Sequence, residues 1–129
     1  IPAKRLYMME YEYPILILLS ALHKIDVKIQ GIDYIKQREN DNFILLEKLL
    51  NNLDISYVVD RDTISIKGGI DKTKTVTLPE GAESKILMTH IIAGLFCDSG
   101  IKVSKDQKDI VIKDYPSFFD TLLSISKNE

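Results

Sequence analysis

Cysteine and histidine are nearly missing from this chain of 129 residues, and it has neither a block of one charge sign nor a long apolar run. The single Cys97 has no internal partner, and with His23 and His90 it offers no close metal-ligand spacing, so disulfide frameworks and zinc sites drop out. A lone thiol suits a reducing compartment, and a cytoplasmic protein is expected. Basic residues number 17 and acidic residues 19, for a net charge of −2, with the signs interspersed along the chain. No clustered Lys/Arg surface is available to displace counterions from a duplex, so nucleic acid is not expected as a partner. The longest apolar runs, Pro14 to Leu22 and Ile86 to Cys97 with Thr89 and His90 inside, fall short of the roughly 20 residues of a membrane span. A membrane is therefore not expected either. Gly68-Gly69 lacks the Lys-Ser/Thr of a phosphate loop and the spacing of a dinucleotide fingerprint. The chain opens at Ile1 without a secretory pattern, which reads as a processed or excised piece of something longer.

What is present is the balance of one ordinary globular domain, 45% hydrophobic and 28% charged. At this length roughly two thirds of the unfolded surface can be buried, so a core forms without a staple. Ile1 to Tyr13 shows no clean period and reads as extended. Pro14 opens the nearly all-apolar Ile15 to Leu22, a helix buried on every side or, alternatively, a buried strand. Asp26 to Gln30 alternates as a half-wet strand ended by Gly31. Asp41 to Leu50 carries a helical stripe through Phe43, Leu46, Leu49 and Leu50, with Asn40 or Asp41 as cap. Ile55 to Val59 and Thr63 to Lys67 form a hairpin across Asp60-Arg61-Asp62, closed by Gly68-Gly69. Thr73 to Leu78 alternates as a strand, Pro79 to Gly81 turns, and Glu83 to Phe96 is a second all-apolar helix broken at Asp98-Ser99-Gly100. Ile101 to Ser104 and Asp109 to Ile112 read as strands, and Pro116 opens a last helix with Phe118, Phe119, Leu122 and Leu123.

A weak repeat underlies this order. An offset of 74 residues lays Lys28-Ile29 on Lys102-Val103 and Ile17 on Ile91, and an offset of 73 lays Leu45, Leu49 and Leu50 on Phe118, Leu122 and Leu123. Two copies of one unit, about 10–69 and about 70–129, then put their apolar helices inside and their alternating strands outside. Units that bury a face only against neighbours usually come in threes or more, so two copies describe an incomplete object.

Three polar clusters precede helices: Gln37-Arg38-Glu39-Asn40-Asp41, Glu80 to Lys85, and Lys113-Asp114-Tyr115-Pro116. Amide groups at a helix N-terminus favour an anion, so the first reads as a phosphate or carboxylate site, or simply as a capped helix with Arg38 in solvent. Lys85 sits in a first turn, where the dipole opposes it, so either an anion holds it there or it is exposed. In repeated units the three cations could share one anion site.

These clusters resemble the closing part of 5-enolpyruvylshikimate-3-phosphate synthase. The resemblance runs through Pro14-Ile15-Leu16, Ser20-Ala21-Leu22, Val27-Lys28-Ile29, Arg38-Glu39-Asn40-Asp41-Asn42 and Leu46 to Leu49, where the family reads Lys-Glu-Ser/Thr-Asp-Arg before the helix. Glu83-Ser84-Lys85-Ile86-Leu87-Met88 with Ile92-Ala93-Gly94-Leu95 is similar to the family's Asp-His-Arg-Met/Ile-Ala-Met and Ala-Gly-Leu. Lys113 to Phe119 is similar to its Lys-Ser-Phe/Tyr-Pro ending, the most specific of the motifs. The family fold is an inside-out α/β prism of βαβαββ units, three to a domain, with helices within and sheets without. The resemblance implies about two units of the C-terminal domain of an enolpyruvyl transferase. Such an enzyme moves the enolpyruvyl group of phosphoenolpyruvate to the 5-hydroxyl of shikimate-3-phosphate, on the way to chorismate and the aromatic amino acids, without metal or organic cofactor. The partner would be the N-terminal domain of the same enzyme, and the fragment alone would be inactive.

Carried over by position, Glu39 and Lys113 are the catalytic acid/base residues, and Arg38, Asp41, Asn42 and Lys85 bind substrate. Lys85 keeps the charge of an arginine without its fork, and Asn42 replaces an arginine outright. Where the family has a catalytic aspartate before the first helix, this chain reads Tyr11-Glu12-Tyr13-Pro14, with Glu10 and Glu12 the nearest carboxylates. Two outcomes are consistent with these departures: a divergent synthase, or a non-catalytic descendant of the fold used for binding or assembly.

Overall fold

The computed structural model describes residues 13–127, so the expectation of an extended stretch before Tyr13 lies outside the described residues. Helix α1, Tyr13–Leu22, has Pro14 in its first turn and buries Tyr13, Ile17, Leu18 and Ala21 completely. The helix, not the buried strand, is the form this run takes. Ser20, the polar residue inside it, donates its hydroxyl to the Leu16 carbonyl at 2.9 Å and so costs the core nothing unpaired. The helix ends on Lys24 in the left-handed region, φ 58°, with the Ile25 amide reaching back to the Ser20 carbonyl at 2.9 Å.

Strands β1 (Val27–Gln30), β2 (Tyr57–Asp60) and β3 (Thr63–Ile66) form one antiparallel sheet in the order β1-β3-β2. The register pairs Val27 and Tyr57 with Ile66, and Ile29 and Val59 with Ile64, so all six apolar side chains share the face covered by the helices. Lys28, Gln30, Val58, Asp60 and Ser65 fall on the opposite, wetter face. Gly68 closes the hairpin against the end of α1, and a Cβ there would lie 2.2 Å from the Lys24 carbonyl carbon.

Helix α2 spans Ile32–Asn52, nine residues earlier than the stripe from Asp41 predicts. Gly31, at φ 95°, precedes it without a side-chain cap of its own, and neither Asn40 nor Asp41 caps anything there. The cap comes instead from the hairpin: Asp62 accepts from the Gly31 amide at 3.1 Å and the Asp33 amide at 2.9 Å through its carboxylate. Its carbonyl accepts from Gly31 and Ile32 as well. The expected start survives as a break, because Glu39 inside α2 has the non-helical dihedrals φ −141° and ψ 46°.

Helix α3, Ser84–Leu95, is buried from Ser84 through Ile91 and again at Ala93 and Gly94. It lies between two apolar clusters. One gathers α1, α2 and the sheet, with Ala93 and Cys97 from the α3 end. The other joins Leu78, Ala82, Ile86, Leu87 and Ile91 to Val111, Phe118 and Phe119. No helix among the described residues is long and apolar enough to cross a membrane.

The second half departs from the repeat. Thr73 to Leu78 is not a strand, and neither is Ile101 to Ser104; Asp109 to Ile112 lies within helix α4, Lys105–Asp114. Val76 and Leu78 are buried in alternation with exposed Thr75 and Thr77, but no strand among the described residues pairs with them, since alternation reports which side chains are covered and not whether a ladder exists. Helix α4 is set by a capping box: Ser104 accepts from the Gln107 amide at 3.2 Å and donates its own amide to the Gln107 side chain at 3.3 Å. Helix α5, Phe118–Lys127, follows Pro116 as expected. The described chain is thus a mixed α/β unit with one small antiparallel sheet, and a second sheet is not among the described residues.

Candidate functional site

The first turn of α3 carries a lysine that is 5% exposed, at the end of the helix where exposed amides disfavour a cation. Burial there requires a counter-charge, and the break in α2 supplies it: the Glu39 carboxylate pairs with the Lys85 ammonium through Oε1. Asn42, one turn further along α2 and 7% exposed, donates its amide nitrogen to Glu39 Oε1 at 3.2 Å and to Glu83 Oε2 at 3.2 Å. One side-chain amide therefore bridges two carboxylates from different elements. Glu39 Oε2 is buried with no partner among the described residues, an orphaned acceptor of the kind that costs free energy.

Tyr13, at the start of α1, packs beside the same lysine. Its ring lies 5.8 Å from the Lys85 ammonium, and its hydroxyl is buried without a partner among the described residues. Burial, then the Glu83 charge, pushes the phenol far above its ordinary range, so Tyr13 stays neutral. On the open side, Glu83, Ser84, Lys85, Ile110, Lys113, Asp114 and Tyr115 line a cleft of about 600 Å³. The Ser84 hydroxyl donates to Asp114 Oδ2 at 2.5 Å, which ties the end of α4 to the start of α3 and sets Lys113 on the same cleft as Lys85.

The residues expected from sequence separate into two groups. Glu39, Asn42 and Lys85 form one contiguous network, and Lys113 lines the cleft that Lys85 opens into. Arg38 and Asp41 are exposed on α2 and are not among the cleft-lining residues; the Arg38 guanidinium lies 5.4 Å from the Tyr34 ring. Tyr11, Glu10 and Glu12 lie outside the described residues. Sequence reasoning passed over Tyr13, Glu83, Ser84 and Asp114 as actors, though each adjoins a residue or motif it singled out.

Other groups fit the core better than a reaction. His90 is 5% exposed with Nδ1 at 2.8 Å from the Ile86 carbonyl, so that nitrogen carries the proton, and burial holds its pKa below the ordinary histidine range. Burial, then the neighbouring Asp98 and Asp71 charges, pushes the Cys97 thiol up. A groove of about 1030 Å³ beside the sheet is larger than the cleft, but its Asp26, Lys28, Glu47 and Lys67 offset one another, and its tyrosine, Tyr57, is engaged by Glu47 at 2.9 Å. Size alone does not make it the site. Among the described residues no group of three or more His, Cys, Asp or Glu stands together as a metal site.

Comparison with known proteins bears on the same stretch. A family model described as EPSP synthase (3-phosphoshikimate 1-carboxyvinyltransferase) matches residues 3–122. The 3-phosphoshikimate 1-carboxyvinyltransferase of Persephonella marina is 29% identical over 117 residues, covering 91% of this chain and 26% of that protein. That of Lactococcus lactis is 29% identical over 122 residues, covering 91% and 27%. The protein of the same name from Zymomonas mobilis is 24% identical over 112 residues, covering 83% and 24%. The chain thus spans about a quarter of the length of the curated relatives it matches. No solved structure matches it.

Proposed function

This chain belongs to the EPSP synthase family, and from that premise we propose that it forms part of the C-terminal domain of an enolpyruvyl transferase. The reaction is transfer of the enolpyruvyl group of phosphoenolpyruvate to the 5-hydroxyl of shikimate-3-phosphate, with release of phosphate. In this reading residues about 10–69 and about 70–129 are two units of an inside-out prism, the second without a strand among the described residues, the N-terminal domain of the same enzyme is the partner, and the chain alone lacks the complete site. The wet outer face of the sheet and the buried α1 and α3 support the prism arrangement.

The observation that carries the proposal is the shared cleft of Lys85 and Lys113, behind which the break in α2 pairs Glu39 with Lys85. Phosphoenolpyruvate is an anion at both ends, and an ammonium held by burial at a helix start is suited to its phosphate or carboxylate. Lys113, exposed at the end of α4, has the reach of a mobile acid/base group, and Glu39 that of a second proton carrier. Arg38 and Asp41, exposed on α2 and outside the cleft lining, have no part in this reading of the cleft.

Titrating the intact protein that carries this chain with both substrates and following phosphate release tests the reading; no turnover rejects it. A second reading, a non-catalytic descendant serving binding or assembly, is favoured by one observation: Asn42 spends its amide on Glu39 and Glu83 where an arginine would face a substrate. Restoring Arg at 42 and Asp at 11 leaves such a scaffold's function unchanged.

A further inference from the structure

The donors described around the cleft are largely spent on the protein's own carboxylates. Lys85 pairs with Glu39, Asn42 divides its amide between Glu39 and Glu83, and Ser84 donates to Asp114. Counted by charge among the described residues, Lys85 and Lys113 share the cleft with Glu83 and Asp114, Glu39 pairs with Lys85 behind it, and the neutral Tyr13 ring lies beside the ammonium. A dianion entering this arrangement meets an excess of negative charge unless one carboxylate is neutralised.

Resting on the reading of this cleft as an anion site, we propose that Glu39 is its internal occupant, and that an anion binds at Lys85 only together with one proton, which Glu39 takes from solvent as it gives up the lysine. Two features point to Glu39 rather than to its neighbours. Its Oε2 is already buried and unpartnered among the described residues, so once Lys85 turns to a ligand the carboxylate has only Asn42 left to support its charge. Its Oε1 and the nearest Glu83 oxygen both lie 3.2 Å from one amide nitrogen, so the two oxygens are at most twice that distance apart. With an anion added and their lysine withdrawn, two carboxylates bridged by one amide nitrogen repel each other, which favours a proton on the one that has lost its lysine. Asp114 has the Ser84 hydroxyl, opens to solvent and does not depend on Lys85 for a partner.

Sulfate, fully ionised between pH 5 and 8, is the probe. Its affinity for the intact protein, at constant ionic strength, is expected to fall as pH rises, by up to about tenfold per pH unit. Calorimetry in two buffers of different ionisation enthalpy should register about one proton taken up per sulfate. Glu39→Gln, which keeps an acceptor for Asn42, should bind sulfate more tightly at pH 8 and with a flat pH profile, while Lys85→Met should abolish binding. Binding that is independent of pH and takes up no proton in the unaltered protein overturns the inference and leaves the anion site standing. Sulfate binding that survives Lys85→Met also overturns it, and no binding at any pH overturns it together with the reading of the cleft.

Discussion

Replacing Lys85 by Met removes one partner of an ion pair whose side chains are 6% and 16% exposed. Breaking a buried pair from one side costs about 3–5 kcal/mol, because the surviving charge is left without compensation. Glu39 keeps its bond from Asn42 and has slight solvent access, which lowers the expected loss to about 2–3 kcal/mol. The methionine restores most of the lysine's apolar stem, so packing contributes little to that figure. Glu39→Gln in the same protein removes the stranded charge while keeping its shape, and the double variant is expected to regain about 2 kcal/mol of what Lys85→Met loses. Urea unfolding of the four proteins at neutral pH, at matched slopes, gives the coupling energy directly. A Lys85→Met protein within about 0.5 kcal/mol of the parent, or a double variant no more stable than Lys85→Met, would refute the account of Lys85 as a buried cation held in place by Glu39.

Asp62→Ala removes the two carboxylate bonds at the start of α2 but leaves the carbonyl bonds to Gly31 and Ile32, so a loss of about 1–2 kcal/mol is expected, seen as a drop of roughly 4–8 °C in thermal unfolding. Asp62→Asn, which keeps an acceptor but not the charge, should lose about half as much. His90 is held neutral in the fold, so the unfolded chain binds a proton first as pH drops; stability present above about pH 6.5 should decline as pH falls through the lower, folded value. Melting temperatures from pH 8 to 5 check this, and His90→Gln should flatten that part of the profile. Gly68→Ala places a methyl against the backbone of Lys24 and is expected to cost about 1–3 kcal/mol, whereas an alanine at Gly69 must adopt φ 116° and costs through strain alone. Chemical denaturation of both separates the two causes.

Local chemistry in the first half was readable because each signal acted on its own neighbourhood. The Ile15 to Leu22 run has to be buried whatever surrounds it, and the register of the hairpin follows from two residues per repeat across Asp60 to Asp62. What escaped the reading was non-local. The start of α2 is fixed by Asp62, about thirty residues downstream, and no helix-capping pattern near Ile32 announces it. Alternation at Val76 and Leu78 was real as burial and misleading as a ladder, while the Ser104 to Gln107 capping box was a plain local cue outweighed by the β-branched Ile110, Val111 and Ile112. Of the candidate site, Glu39, Asn42, Lys85 and Lys113 can be picked out through the family pattern as proposed site residues. Glu83 and Asp114 were not, because their part depends on which helix ends meet in space.

Because α3 contributes to both apolar clusters, neither half of the described chain can open without stripping cover from the same helix. Amides in the middle of α3, from Met88 to Ile91, should then exchange with deuterium only through global opening, as the slowest set in the chain. Heat or denaturant would find one transition rather than a loose end that melts ahead of a firm one. The lysine in its first turn is consequently anchored to a segment that both clusters cover, whereas the glutamate paired with it stands where α2 departs from helical geometry.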